Sequence, residues 1–204
     1  MAKAEELFGD DILFMPDDNK KKQRGDDWKR PLQKGEYFGH IKSVDMTDVS
    51  FKNWKATVYN YRVQLSDENK TIKFKYGDEE YMGAEYVGRE VRSLGVFKFL
   101  TPGKDDDFEA NPTGNDRYLL FCQTLGAEIK KVKRVIDGEE VTLESMPNLS
   151  AEDIIGKPVM AVIAKGKPFD LKSGKTIYPW EVKFVMQWPE GKTKEPTDLG
   201  DIPF

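Results

Sequence analysis

The sequence predicts a mainly β fold with one helix, extra hairpin and loop insertions, and flexible termini. Three observations carry that expectation. Apolar and polar residues alternate with the two-residue period of a half-buried strand in several short segments. Only residues 116–128 carry a convincing helical stripe. The segments follow one another as three strands, further strand material, a helix, an insertion and two closing strands.

Residues 1–34 read as an N-terminal arm. Its first 18 residues hold one Lys against Glu5, Glu6, Asp10, Asp11, Asp17 and Asp18. Residues 19–34 then carry Lys20, Lys21, Lys22, Arg24, Lys29, Arg30 and Lys34 against Asp26 and Asp27. Gly25 and Pro31 break regular structure, so the arm is expected to be extended or partly disordered. Phe8, Ile12, Leu13, Phe14 and Trp28 are its available anchors.

Residues 35–44 (GEYFGHIKSV) are rich in aromatic and branched side chains and predict the first strand. Residues 54–65 (WKATVYNYRVQL) predict the second. Trp54, Ala56 and Val58 share one face, and Tyr59, Tyr61, Val63 and Leu65 the other, which implies a bulge or face switch near Tyr59. Residues 67–70 make a polar turn before 71–76, where Ile72, Phe74 and Tyr76 alternate against Lys73 and Lys75. Residues 95–100 (GVFKFL) are a further strand, and 101–114, rich in Pro, Gly, Asp and Asn, a long loop.

Asn115 is placed to cap the helix, with Leu119, Leu120, Cys122 and Leu125 as its apolar stripe. Asp137-Gly138 between branched residues predicts a β-hairpin over 132–143. Ser150 with Asp153 is expected to cap a single helical turn. Residues 157–165 and 176–188 form the last strand pair, with Trp180, Val182, Phe184, Met186 and Trp188 on one stripe. Five strands with a helix between the third and fourth is the order of an oligonucleotide/oligosaccharide-binding (OB) Greek-key barrel, here expected over residues 35–188. An immunoglobulin-like sandwich fits less well, because of the central helix and uneven strand spacing.

Composition excludes several classes. Of 204 residues, 38% are hydrophobic, 12% aromatic and 33% charged, enough apolar content to exclude wholesale disorder. The longest aliphatic run, 159–164, is far short of the roughly 20 residues of a membrane span. The acidic start lacks a signal-peptide core, which gives the expectation of a cytoplasmic protein. One Cys (Cys122) and one His (His40) exclude a disulfide framework, ordinary structural zinc sites and a Cys-His nucleophile. Asp78-Glu79-Glu80 and Asp105-Asp106-Asp107 are the acidic runs open to Mg²⁺. A two-metal nuclease needs carboxylates converging on rigid elements, and consecutive loop acids do not converge. The expectation is therefore a non-enzymatic protein with no cofactor and no metal.

The chain closes with PEGKTKEPTDLGDIPF over residues 189–204. Most of that segment cannot join a core. Its last four residues, Asp201-Ile202-Pro203-Phe204, put an aromatic ring at the free carboxylate. This resembles the acidic C-terminal tip of bacterial and bacteriophage single-stranded-DNA-binding proteins, which ends in Asp-Ile-Pro-Phe or a close variant. The linker is shorter than the family's Gly/Gln/Pro-rich one, and only Asp198 and Asp201 lie among the last seven residues. With its arm and long loops the chain looks more like a phage-type than a bacterial member. The resemblance implies an OB fold that covers single strands in DNA replication, recombination and repair, in the host cytoplasm for a phage protein. It also implies a tip, Asp198, Asp201, Ile202, Pro203 and Phe204, that recruits polymerase, helicase, primase or recombinase. Chemically, a pocket takes the Phe204 ring while basic groups take its carboxylate and the nearby aspartates.

Binding single strands without sequence preference requires cations along the phosphates and flat rings under the bases. Trp54, Lys55, Tyr59, Tyr61, Arg62, Lys73 and Lys75 supply both types in adjacent strands. Lys165, Lys167, Phe169, Lys172, Lys175 and Lys183 add a second basic group around GKPFDLKSGK, the loop joining the last two strands. Phe74, Tyr76, Trp180, Phe184 and Trp188 are read instead as core rings, because they alternate with lysines or share a stripe with aliphatics. The acidic pI of about 5.3 does not exclude nucleic acid, since local field decides binding. An OB-like protein-interaction adaptor and an RNA-binding protein remain alternatives, and the insertion over 78–143 has room for a homodimer interface.

Overall fold

The computed structural model describes residues 31–102, 108–111, 114–174 and 176–189. The anchors of the N-terminal arm, Asp105-Asp106-Asp107, Lys175, and the tail residues Asp198, Asp201, Ile202, Pro203 and Phe204 lie outside the described residues. Leu32, ahead of the predicted boundary at Gly35, is buried in the core.

The fold is mainly β and is organised by one long hairpin. Strand β1 (Gly35–Phe51) runs into β2 (Trp54–Leu65) through a two-residue turn, with Phe51 opposite Trp54 and Gly39 opposite Leu65. A bulge between Ile41 and Ser43 inserts one residue into β1, so that Ile41 and Val44 both face the core. The irregularity expected at Tyr59 therefore lies on the partner strand, at Lys42. β1 also outruns its predicted end at Val44, because its last residues pair with β2 beyond the core and carry no burial pattern of their own.

A seven-stranded antiparallel sheet grows outwards from this hairpin. Beside β2 lie β5 (Glu90–Arg92) and β6 (Val96–Pro102), and β7 (Phe108–Ala110) pairs β6. Beside β1 lies β10 (Pro158–Lys165), followed by β13 (Trp180–Gln187). One parallel bridge joins Ser93, between β5 and β6, to Val182 on β13. At that break in the strand the Ser93 hydroxyl accepts from the N–H groups of Tyr61 (3.0 Å) and Gly95 (3.1 Å). Three two-stranded ribbons complete the β structure among the described residues: β3 (Lys73–Tyr76) with β4 (Glu79–Met82), β8 (Lys131–Ile136) with β9 (Glu139–Glu144), and β11 (Phe169–Asp170) with β12 (Thr176–Ile177).

Helix α1 (Asp116–Thr124) covers the sheet's inner face. Its buried positions are Tyr118, Phe121 and Cys122, followed by Leu125 at its end, which is helical i, i+3, i+4, i+7 spacing. Leu120, expected in the stripe, is 55% exposed. The larger rings at 118 and 121 take the inward face and rotate Leu120 out. The helix stops short of residue 128 because Gly126 adopts φ +79°; the Ala127 N–H then reaches Cys122 O (2.9 Å) and the Gly126 N–H reaches Gln123 O (3.0 Å). α2 (Ala151–Ile154) starts with the expected capping box: Asp153 accepts from the Ser150 N–H at 2.8 Å, and Ser150 Oγ from the Asp153 N–H at 3.3 Å.

Two buried amides replace missing strand neighbours. Asn115 does not cap α1; its Oδ1 accepts from the Phe99 N–H (2.7 Å) and its Nδ2 donates to Phe99 O and Asn111 O (2.8 Å each). Asn69, in the segment expected to be a polar turn, treats Phe38 the same way (3.0 and 2.7 Å) and also donates to Ser66 O. Each amide satisfies a backbone pair that burial would otherwise leave unpaired.

Tyrosines fill the core from both ends. Tyr61 stacks on Phe121 at 5.1 Å, and Tyr59 meets Tyr118 at 5.3 Å. The Tyr118 hydroxyl donates to Pro147 O at 2.8 Å. Towards the start of β1, Tyr37 stacks on Phe74 at 4.9 Å, and Tyr86 meets Phe74 edge-on at 5.0 Å. Burial disfavours the phenolate: it pushes Tyr37 up to about 12 and raises Tyr59, Tyr61, Tyr86 and Tyr118 above the phenol range. A raised folded pKa contributes stability in full below the unfolded value near 10, and that stability is lost as pH climbs towards the folded value. The melting temperature should hold steady to about pH 9 and fall between about pH 10 and 12. A flat profile to about pH 12 contradicts this packing. Cys122 is buried in the core, and that burial raises its thiol to about 11.

Candidate nucleic-acid interface

Strand parity separates two faces of the long hairpin. The inner face carries Val44, Tyr59, Tyr61 and Val63 against the core. The outer face carries Phe51 opposite Trp54, Val49 opposite Ala56, Thr47 opposite Val58, Asp45 opposite Asn60 and Ser43 opposite Arg62. β6 extends it by placing Phe99 opposite Ala56 and Phe97 opposite Val58, and β5 by placing Arg92 opposite Arg62.

Four rings therefore meet on the outer face. Phe51 stacks on Trp54 at 4.1 Å, Trp54 meets Phe99 edge-on at 5.3 Å, and Phe99 stacks on Phe97 at 5.4 Å. The end members remain open to solvent, Phe51 55% and Phe97 37% exposed. An exposed row of four rings in mutual contact has more apolar surface than an isolated surface aromatic.

Further along β2, the same face turns cationic. Arg62 and Arg92 are exposed and stand directly opposite one another, a like-charge pair that disfavours strand pairing. Glu90 offsets part of that repulsion: it bonds Lys42 at 2.6 Å and lies 3.8 Å from Arg62. From Trp54 to Arg62, eight residues at the strand rise of about 3.3 Å give a track of roughly 26 Å with rings at one end and guanidinium groups at the other.

A cleft of about 640 Å³ opens beside the ring row, between β6, α1 and β13. Phe97, Phe99 and Phe184 line it together with Arg117 and Lys183. Phe184, expected in the core, is 48% exposed. A register shift between Val162 and Ile163 sets Val182 and Phe184 opposite consecutive residues of β10, which breaks the alternation and turns the ring outwards. A second cleft of about 710 Å³, at the start of β1, is lined by Lys34, Lys73 and Lys75 with Phe38 and Met160.

The predicted residues do not gather in one place. Trp54 and Arg62 share the outer face. Lys73 and Lys75 are exposed on β3 at the second cleft, with Phe74 buried between them as expected. Lys165, Lys167, Phe169 and Lys172 are exposed in and beside the loop joining β10 and β13. There the Lys165 ammonium lies 5.8 Å from the Tyr178 and Trp180 rings. Lys183 is paired with Glu181 at 3.0 Å. Lys55 is exposed but on the reverse face from Trp54, in the row of Lys98 and Leu100.

Tyr59 and Tyr61 are not interface rings. Each is 1% exposed and packed in the core against Tyr118 and Phe121, with Tyr61 also at the floor of the 640 Å³ cleft. Phe51, Phe97, Phe99, Arg92 and Arg117 are not singled out by the sequence. The segment GVFKFL does show rings interleaved with a lysine, the same pattern that selects Trp54 and Tyr61. Lys98 within it is structural: burial lowers its pKa, its ammonium bonds Asn148 at 3.0 Å, and it faces the Tyr118 ring.

Among the described residues, no three His, Cys, Asp or Glu side chains converge on a metal position, and no helix is long and apolar enough to cross a membrane. Chemically the outer face offers stacking surfaces and phosphate donors. No family model, curated protein or solved structure matches this chain.

Proposed function

We propose that this chain binds single-stranded DNA without sequence preference and without catalysis, on an OB barrel, in replication, recombination or repair. The observation that carries the reading is the row Phe51–Trp54–Phe99–Phe97 on the same strand face as Arg62 and Arg92. Bases stack on the rings while the phosphates run past the guanidinium groups. The barrel reading is supported by the strand order, by α1 lying between the β5–β6 and β10–β13 segments, and by the parallel Ser93–Val182 contact between those segments. Lys73, Lys75, Lys165, Lys167 and Lys172 widen the electrostatic attraction around the track.

In this reading the tip Asp198, Asp201, Ile202, Pro203 and Phe204 recruits replication proteins, and the body holds the DNA. Truncation after Thr197 leaves DNA affinity unchanged or slightly higher and abolishes partner recruitment. Loss of DNA binding on that truncation contradicts the division of labour.

The test of the main reading is a fluorescence titration with oligo-dT. Trp54 sits in the ring row, so binding quenches tryptophan emission, and affinity falls steeply with salt. The exposed Leu94, Leu120 and Phe184 around the 640 Å³ cleft favour a second reading, a protein-interaction adaptor. Absence of quenching and of a gel shift at low salt supports that second reading.

A further inference from the structure

The β8–β9 ribbon buries almost nothing of itself. Every residue of β8 is exposed, and in β9 only Val141 is half-buried. Its turn is well made, with Asp137 at φ +52° and Gly138 at φ +88°, the conformation that favours a tight two-residue hairpin. It forms a sheet of two strands, and among the described residues no third strand pairs either edge. A lone two-stranded ribbon is marginal in water, and each open edge is a template for another strand.

The charges are sorted by strand. β8 carries Lys131, Lys133 and Arg134 and no acid, while β9 carries Glu139, Glu140 and Glu144 and no base. Within the ribbon Lys133 bonds Glu140 at 2.6 Å, and Lys131 stands opposite Glu144. We infer that the ribbon joins one copy of this chain to the next, the β8 edge of one lying along the β9 edge of its neighbour.

Charge selects this pairing over the symmetric ones. β8 against β8 sets cations beside cations, and β9 against β9 sets carboxylates beside carboxylates. The unlike pairing instead continues the antiparallel sheet and repeats, between copies, the basic-to-acidic contacts the ribbon already makes within itself. Val132 and Leu143, opposite one another and partly exposed on one face of the ribbon, then meet their counterparts on the neighbouring copy, with Ile136 beyond Arg134 on the same face. The contact is heterologous. Each added copy leaves one basic and one acidic edge open, so association runs on past a dimer. None of this depends on the nucleic-acid reading.

Sedimentation velocity of the full chain without DNA tests it. The mean mass should rise with protein concentration beyond that of a dimer and return to monomer in high salt. Lys131→Glu with Lys133→Glu makes both edges acidic; Glu140→Lys with Glu144→Lys makes both basic. Each double variant should stay monomeric alone, and an equimolar mixture should associate again. Melting curves should match the unaltered chain, because the ribbon is outside the core. A monomer at every concentration, assembly that stops at a dimer, variants that associate unaided, or a mixture that stays monomeric overturns the proposal.

Discussion

Phe51→Ala and Phe97→Ala should each weaken binding to oligo-dT by roughly five- to 150-fold, the range given by about 1–3 kcal/mol per stacked base. The two rings lie at opposite ends of the row and are its most exposed members, so truncation removes stacking surface and leaves the core intact. Melting temperature should change little in either variant. The double variant should approach the sum of the two losses, since the rings do not touch each other directly. Trp54→Ala is a poorer probe, because Trp54 also supports Phe51 and Phe99. Unchanged affinity in both single variants, measured by titration at fixed salt, removes the ring row from the account.

Tyr61→Ala should act in the opposite way. Tyr61 is 1% exposed and stacked on Phe121, so truncation leaves a cavity under α1 and costs about 3–5 kcal/mol. For a chain of this length that lowers the melting temperature by roughly 6–20 °C. Where the variant is still folded, its affinity for oligo-dT should be close to that of the unaltered chain. Tyr61→Phe keeps the stack and should retain most of the stability. The pair of experiments separates rings that hold the fold from rings that hold a ligand. A stable Tyr61→Ala with reduced DNA affinity would reverse the assignment.

That separation is where the sequence runs short. Alternation along residues 54–65 shows two faces but not which of them α1 covers, because the helix that decides it lies more than 50 residues later. Trp54 and Tyr61 look equivalent by composition and lie on opposite faces. The segment DMTDVSFKN, residues 45–53, has no burial period, since its strand pairs only with β2 out beyond the core, and Phe51 is hidden within it. Phe184 reads as core but is exposed, because one register shift between β10 and β13 inverts a face and a bulge leaves no local mark in Glu-Val-Lys-Phe.

Other features are local and therefore readable. Asp137-Gly138 makes its turn, Ser150 with Asp153 makes its capping box, and Phe74 goes inwards between Lys73 and Lys75. Each depends on residues within a few positions of one another. Asn69 and Asn115 show the contrary case. Both look like turn or cap residues in sequence, but each completes the backbone pairing of a residue distant in the chain. Arg92 becomes visible only as the cross-strand partner of Arg62.

The central claim is that unpaired bases lie on the outer face of the long hairpin. Ultraviolet cross-linking of the full chain to oligo-dT, with the adducts mapped by peptide mass spectrometry, tests it most directly. Adducts should concentrate in the peptides that carry Phe51, Trp54, Phe97 and Phe99. Adducts confined to other peptides, or none at a concentration where the oligomer is bound, would contradict it.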